Sequence, residues 1–263
     1  MRVTITDKNK KDIFVSIFQT IKNTSTLVNL LFSKDKLHMQ GCDISHVYLF
    51  DIDISRSWFT TYEVDKHYNI CLNTALFFKV LSTKNEHDII LHLNQNSADV
   101  FYVDLVNSTE KGNKSDFNKF FEIPLNEIIN YEELLIPDND YNADFTITAK
   151  KLVDIVSQMS SFSEDVSDIS IIVDGDTITL ATESIAGGTF TAKIDSDSII
   201  EYAILEDYTI NLKYSIQYVK SCLTNKLSNN IKLSITDSFP MKIYYDLGEN
   251  SNFVFYIANK TDD

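Results

Sequence analysis

The 263-residue chain is poor in the residues that staple, kink or loosen a backbone, with 3 cysteines, 3 prolines and 6 glycines. Cys42, Cys71 and Cys222 are far apart and odd in number, which argues against a disulfide framework and against a CxxC metal or redox motif. They read as small reduced core residues. No apolar run approaches the roughly 20 residues of a membrane span, and MRVTITDKNKKDIF (1–14) lacks the apolar core of a signal peptide. An intracellular protein with no membrane partner is expected. Positive charge is also scarce: 23 Lys and Arg stand against 38 Asp and Glu, a formal charge of −15. That balance argues against a surface that coats itself with nucleic acid, although lysines gathered on one face would escape the argument. The signatures of catalysis are missing too, with no GxxxxGK[ST] loop, no HExxH and no nucleophile elbow. His38, His46, His67, His87 and His92 show no metal-ligand spacing, and alternation puts Asp51 and Asp53 on one strand face. No catalytic residue, metal or cofactor is expected.

The chain does have apolar content and alternation. Hydrophobic residues make up 44%, and the length suits one large domain or two of ordinary size. VTIT (3–6), LVNLLF (27–32), VYLFDIDIS (47–55), DIILHL (88–93) and VFYVDLV (100–106) have the β-branched and aromatic enrichment of strands. So do DISIIVDGDTITLAT (168–182), FTAKI (190–194), IKLSIT (231–236), MKIYYDL (241–247) and NFVFYIA (252–258). Turns fall to Asn and Asp, and Asp174-Gly175-Asp176 reads as a hairpin turn. The expected class is α+β, an antiparallel β protein with a few helices.

Four segments change the period. Phe14, Ile17, Phe18 and Ile21 recur at the spacing of an amphipathic helix, and Leu152, Ile155, Val156 and Met159 repeat it in the back half. A second pair runs from Phe77, Val80 and Leu81 to Leu212, Tyr218, Val219 and Cys222. Two matching pairs predict a duplicated unit. The expected outer faces carry Ser16, Gln19 and Lys22 on the first helix and Lys79 and Ser82 on the second. The third presents Lys150, Lys151, Asp154, Ser157 and Ser161, and the last Lys213, Gln217 and Lys220. Between the halves lies YEELLIPDNDY (131–141), where Pro137 makes Ile136 extended and Glu132, Glu133, Asp138 and Asp140 keep the segment wet. It reads either as a plain linker or as one whose Leu134 and Ile136 line a docking groove.

LVNLLFSKDKL (27–37), LHMQGCDISHVYLF (37–50) and WFTTYEVD (58–65) resemble the N-terminal domain of the proliferating cell nuclear antigen family, the eukaryotic and viral DNA sliding clamps. LLIPDNDY (134–141) resembles that family's connecting loop, and SFPMKIYYDLG (238–248) with FVFYIANKTDD (253–263) its final hairpin and acidic tail. The resemblance is collinear over nearly the whole chain. It implies the DNA clamp fold, with two duplicated domains at 1–124 and 142–263 and a connecting segment at 125–141. It further implies a homotrimeric ring with antiparallel sheets outside and four short helices lining the lumen. Such a ring encircles double-stranded DNA without reading its sequence and acts as a polymerase processivity factor in DNA replication and repair. The partners implied are the replicative DNA polymerase, the clamp loader, a flap endonuclease and DNA ligase. The location implied is the nucleus, or a viral replication compartment if the chain is viral.

Carried over residue by residue, the resemblance puts Lys22, Lys79, Lys213 and Lys220 at lumen positions that are basic in the family, with Lys150 and Lys151 added from this sequence. Val15, Ser16, Ser82, Ser157 and Ser161 stand where the family often has a basic residue. SDFNKFFEI (115–123) matches the last strand of the first domain and GGTFTAKI (187–194) the edge strand of the second. Phe117, Phe120, Phe121, Ile185 and Phe190 are then subunit-interface candidates. The partner-peptide groove would comprise Cys42, His46, Val47, Leu134, Ile136, Pro137, Pro240, Tyr256 and Ala258, with Gln40 at its rim. It would take a short peptide with a glutamine, an aliphatic residue and two aromatics. Cys42 replaces a methionine of animal members, and Asn259 replaces a proline. The alternative is a monomeric or dimeric processivity factor that binds DNA through a basic face. The charge of −15 counts against it, because an open binder needs the affinity that a ring replaces with topology.

Overall fold

A computed structural model of the chain describes residues 1–43, 45–84, 86–94, 99–108, 117–128, 134–137, 139–175, 177–205 and 208–260. Tyr131, Glu132, Glu133 and Asp138 of the connecting segment lie outside them, as do Ser115 and Asp116, Asp176 of the hairpin turn, and the tail at 261–263. The chain divides into two compact units. The first comprises Met1–Cys42, Asp51–Leu134 and Leu247–Asn252, and the second Asp43–Phe50, Leu135–Asp246 and Phe253–Asp263.

The front half of the chain runs β1 (Arg2–Ile5), α1 (Lys8–Ile21), β2 (Leu27–Phe32), β3 (Lys36–Cys42), β4 (Tyr48–Ser55), β5 (Thr61–Glu63) and β6 (Tyr68–Asn73). It continues with α2 (Thr74–Leu81), β7 (Asp88–His92), β8 (Val100–Val106) and β9 (Lys119–Pro124). One sheet has the order β5-β1-β7-β8-β9, and β6-β2-β3-β4 are neighbours in another. Period-two burial explains the strands: in β8, Phe101, Val103 and Leu105 are buried and the residues between them are not. The helices close over the apolar faces. Phe14 and Phe18 of α1 meet edge to face at 5.2 Å, Phe18 lies 4.6 Å from Phe77 of α2, and Phe77 lies 6.0 Å from Phe101. Each buried ring contributes about 2–3 kcal/mol. Trp58 completes the cluster 6.4 Å from Phe14, its indole N–H donating to Leu247 O at 3.0 Å. Asp7 and Asn73 cap the two helices by accepting from Lys10 N and Leu76 N.

The back half repeats the plan. It runs β10 (Ala143–Thr148), α3 (Ala149–Ser160), β11 (Asp168–Asp174), β12 (Thr177–Glu183), β13 (Thr189–Ile194) and β14 (Ile199–Ile204). Then come β15 (Thr209–Ser215), α4 (Ile216–Cys222), β16 (Asn230–Ile235), β17 (Met241–Gly248) and β18 (Ser251–Ile257). One sheet has the order β13-β12-β11-β15, and β14-β10-β16-β17-β18 are neighbours in another. Leu152 and Val156 of α3 and Val219 of α4 surround one apolar space with Phe145, Ile169, Ile171, Leu180, Leu233 and Met241. The β11–β12 hairpin pairs Asp174 with Thr177, and Gly175 supplies the left-handed φ of 54° that the turn requires. The three cysteines are reduced thiols, Cys71 and Cys222 buried and Cys42 partly so. Burial pushes the Cys222 thiol well above its ordinary value, which makes it inert.

Two placements differ from the sequence expectation. Leu212 and Lys213 lie on β15, not on the last helix. Ile210 and Tyr214 are buried, Asn211 and Lys213 are exposed, and this period of two runs unbroken to Ser215, so the helix begins only at Ile216. Ser16 is buried in α1 and not outward, its hydroxyl donating to Asp12 O at 2.7 Å, which satisfies it inside the helix.

Candidate edge strands, helix faces and partner groove

The strand orders leave β9 at one edge of its sheet and β13 at one edge of another. β9 pairs with β8 from Val100↔Pro124 to Leu105↔Lys119, and β13 pairs with β12 from Ile178↔Ile194 to Glu183↔Thr189. A long exposed edge is a pairing hazard that folded proteins blunt or cover. Apolar side chains lie on and beside these edges: Phe120 of β9 is 69% exposed, Phe117 just before it 86%, and Ile185 in the turn before β13 90%, while Phe121 and Phe190 are half-buried. Phe190 meets Phe162 edge to face at 5.8 Å, so it packs within its own unit. The start of β9 is held in place by the turn after α2. The buried His87 ring donates to Phe117 O at 2.9 Å, and Lys119 Nζ donates to Thr83 O at 3.0 Å.

The expected basic positions divide by element. Lys79 on α2, Lys150 and Lys151 on α3, and Lys220 on α4 are exposed on helices, whereas Lys213 is exposed on a strand. Lys22 caps α1 half-buried, its Nζ 4.8 Å above the Phe78 ring. Ser82 and Ser161 are exposed, and Val15 and Ser157 half-buried. Lys150 and Lys151 occupy the first turn of α3, which has no acidic residue. Cations there face the positive end of the helix dipole, at a cost of about 0.3 kcal/mol each.

In the second unit, Ile136 is half-buried beside the exposed Pro137, and Pro240, Tyr256 and Ala258 are half-buried. Tyr141 ties this region together. Its hydroxyl donates to Pro240 O at 3.4 Å, its ring meets Phe239 edge to face at 6.3 Å, and burial, aided by Tyr256 and Asp144, raises its phenol above the ordinary value. Val47 accepts at its carbonyl from Ala258 N at 2.9 Å, and Lys260 N donates to Lys213 O at 2.8 Å. His46, exposed, has a left-handed φ of 55°. The sequence reading missed Asp43, whose carboxylate organises the turn from 43 to 48. Oδ1 accepts from Val47 N and Tyr48 N, each at 2.9 Å, and Oδ2 from Ser45 N at 3.2 Å and Tyr218 OH at 2.8 Å. An Asp two residues before a Ser is an Asx-turn signal that could have found it; the Tyr218 contact has no sequence signal.

In the first unit, Leu134 is exposed and Cys42 ends β3. Gln40, the rim candidate, is 4% exposed, its side-chain amide hydrogen-bonded to the Leu134 backbone. Beside it on β3, His38 Nδ1 donates to Asp53 Oδ1 at 2.9 Å with Asp51 at 3.5 Å, and Lys36 Nζ lies 2.6 Å from Asp53. Burial pulls the His38 imidazole down, but the bond to Asp53 and the charges of Asp51 and Asp53 outweigh it against Lys36 and leave it above its ordinary value. Among the described residues no group of three His, Cys, Asp or Glu is placed to hold a metal, and no helix is long and apolar enough to cross a membrane.

Comparisons with known proteins agree along the whole length. The family model "Proliferating cell nuclear antigen, N-terminal domain" matches residues 7–127, and "Proliferating cell nuclear antigen, C-terminal domain" matches 135–260. Proliferating cell nuclear antigen 2 of Plasmodium falciparum is 25% identical over 95% of this chain and 96% of its own. DNA polymerase sliding clamp 3 of Sulfurisphaera tokodaii is 26% identical over the full length of both. Among solved structures, a PCNA2-PCNA3 complex from Sulfolobus tokodaii is similar with a TM-score of 0.85, covering 99% of each chain at 22% identity. With both domain models matched in order and relatives aligned end to end, the chain belongs to the proliferating cell nuclear antigen family of DNA sliding clamps.

Proposed function

We propose that this clamp closes with two further copies of itself into a ring around double-stranded DNA and serves as a polymerase processivity factor and docking platform. The observation that carries the reading is the pair of sheet edges left by the described strands, β9 and β13, with Phe120 exposed on the first, Phe117 exposed just before it and Ile185 exposed in the turn that leads into the second, in a chain matched throughout by the clamp domains. Two different edges that pair head to tail generate a ring when the rotation closes. Topology then holds the DNA, so a thin layer of basic groups suffices, and strong phosphate contacts would impede sliding. Lys22, Lys79, Lys150, Lys151 and Lys220 supply that layer from helices and Lys213 from a strand. The remaining surface, in a chain of net charge −15, repels DNA from the outside. This charge also disfavours an open factor that must grip DNA.

The clamp domains extend over 1–124 and 142–263 with the connecting segment at 125–141. His46, Val47, Ile136, Pro137, Pro240, Tyr256 and Ala258 form the docking groove for a short peptide of a replicative polymerase, flap endonuclease, DNA ligase or clamp loader. The role is non-catalytic, and the working location is the nucleus or, for a viral chain, the replication compartment.

A biotin-ended linear duplex tests the ring. Protein added before streptavidin caps the ends should resist a wash at about 0.5 M salt, where a few phosphate contacts alone do not hold. With open ends it should slide off. Salt-sensitive binding that is indifferent to the ends would overturn the ring and favour an open binder.

A further inference from the structure

Helix α4 does more than present Gln217 and Lys220 to solvent. Ile216, Val219 and Cys222 seat it in the core of the second unit, and Tyr218 reaches from it to the turn at 43–48. The Tyr218 ring lies 6.1 Å from Tyr48 at an interplanar angle of 20°, stacked, and its hydroxyl donates to Asp43 Oδ2 at 2.8 Å. Asp43 passes the constraint on. Its other oxygen holds the amides of Val47 and Tyr48, its own amide donates to Tyr48 O at 3.0 Å, and its carbonyl accepts from His46 N at 3.1 Å. Val47 in turn accepts from Ala258 N at 2.9 Å. A single relay of hydrogen bonds therefore runs from α4 through Asp43 to Val47 and Ala258, both residues of the docking groove.

We infer that Tyr218 and Asp43 are positioning residues for peptide docking: the Tyr218 hydroxyl fixes the Asp43 carboxylate, which fixes the Val47 backbone and so the groove wall that a partner's extended peptide meets. The inference rests on the groove reading and adds the helix that sets the groove's shape. Partial burial pushes the Asp43 carboxyl up, but the bonds from Tyr48 N and Tyr218 OH outweigh it and keep the group below the usual carboxylate range. The same bond, with burial, holds the Tyr218 phenol above its ordinary value. The pair is thus a neutral donor on a full anion, the stronger class of hydrogen bond.

Tyr218→Phe removes the hydroxyl and keeps the ring on Tyr48. Titration calorimetry with a synthetic peptide carrying a glutamine, an aliphatic residue and two adjacent aromatics should give binding about tenfold weaker than wild type, because the peptide must then order a groove wall that the bond no longer holds in place. Sedimentation mass should stay at the wild-type value, and the melting temperature should fall by only a few degrees. Adding Asp43→Asn should cost less in the Tyr218→Phe background than in wild type, because both act through one bond. Hydrogen exchange at the Val47 and Tyr48 amides should quicken in Tyr218→Phe, a readout independent of peptide. Wild-type affinity with unchanged exchange, or losses that simply multiply, would overturn the relay. Ile136→Ser separates the two readings. If it keeps wild-type affinity, the groove itself is wrong; if it abolishes binding while Tyr218→Phe does not weaken it, only the relay fails.

Discussion

Gln40 and Leu134 form a closed hydrogen-bonded pair in which a side-chain amide takes the place of a neighbouring strand. Gln40 Nε2 donates to Leu134 O at 3.0 Å, and Leu134 N donates to Gln40 Oε1 at 2.8 Å. The carboxamide has the donor and acceptor of a peptide group in the same plane, so it can pair with backbone as a strand would. It holds one point of the connecting segment to β3, with most of the amide out of water.

Gln40→Ala should therefore loosen the connecting segment without unfolding the unit. The loss is about 1–2 kcal/mol, at the lower end of an unsatisfied pair because Leu134 itself is exposed and water can replace the amide. Limited proteolysis should cut near residue 134 faster than in wild type, with the melting temperature little changed. Gln40→Glu sets a carboxylate oxygen against the Leu134 carbonyl with most of it out of water, and should loosen the segment at least as much.

His38 gives the fold a pH dependence of definite sign. Its folded value lies above the unfolded one, near 6.5, because Asp53 and Asp51 favour the imidazolium more than burial opposes it. The resulting stabilisation is complete below about pH 6.5 and is lost as the pH rises through the folded value. Thermal melts of wild type and His38→Asn should differ most near pH 6 and converge toward about pH 9. A gap that does not change with pH would mean that the His38 contribution is packing alone.

Lys150 and Lys151 should trade stability for DNA contact. Replacing both by alanine removes two cations from the first turn of α3, where they oppose the helix dipole, so the melting temperature should rise slightly. The same variant should bind a short duplex more weakly, with the slope of log affinity against log salt shallower by up to about two. Fluorescence anisotropy across a salt series measures it.

Phe117 and Phe120 should carry subunit association. Each phenyl taken out of water contributes about 2–3 kcal/mol, so Phe117→Ala with Phe120→Ala should weaken assembly by three or more orders of magnitude, roughly. Both rings are largely exposed in the single chain, so the variant should fold and melt like a wild-type protomer. Circular dichroism and light scattering separate the two effects.

Much of this fold was legible as period. Alternation marked β4, β8, β11 and β12, and i, i+3, i+4 spacing marked α1 and α3, because those elements each bury one face. It misplaced Leu212 and Lys213, where a strand runs directly into a helix and both periods share a few residues. It passed over β14, whose Ile200 and Glu201 are both exposed, which breaks the alternation. The candidate site was less legible. That β9 and β13 are edges follows from strand order, which no local pattern contains. The burial of Gln40 and the reach of Tyr218 to Asp43 depend on long-range approach and leave no spacing to read. The order of motifs along the chain, by contrast, carried the family.

Sedimentation equilibrium of the wild-type protein at micromolar concentration decides whether the chain closes into a ring. A single species at three times the 30.1 kDa mass of the chain is expected. A species at the mass of one chain would contradict it.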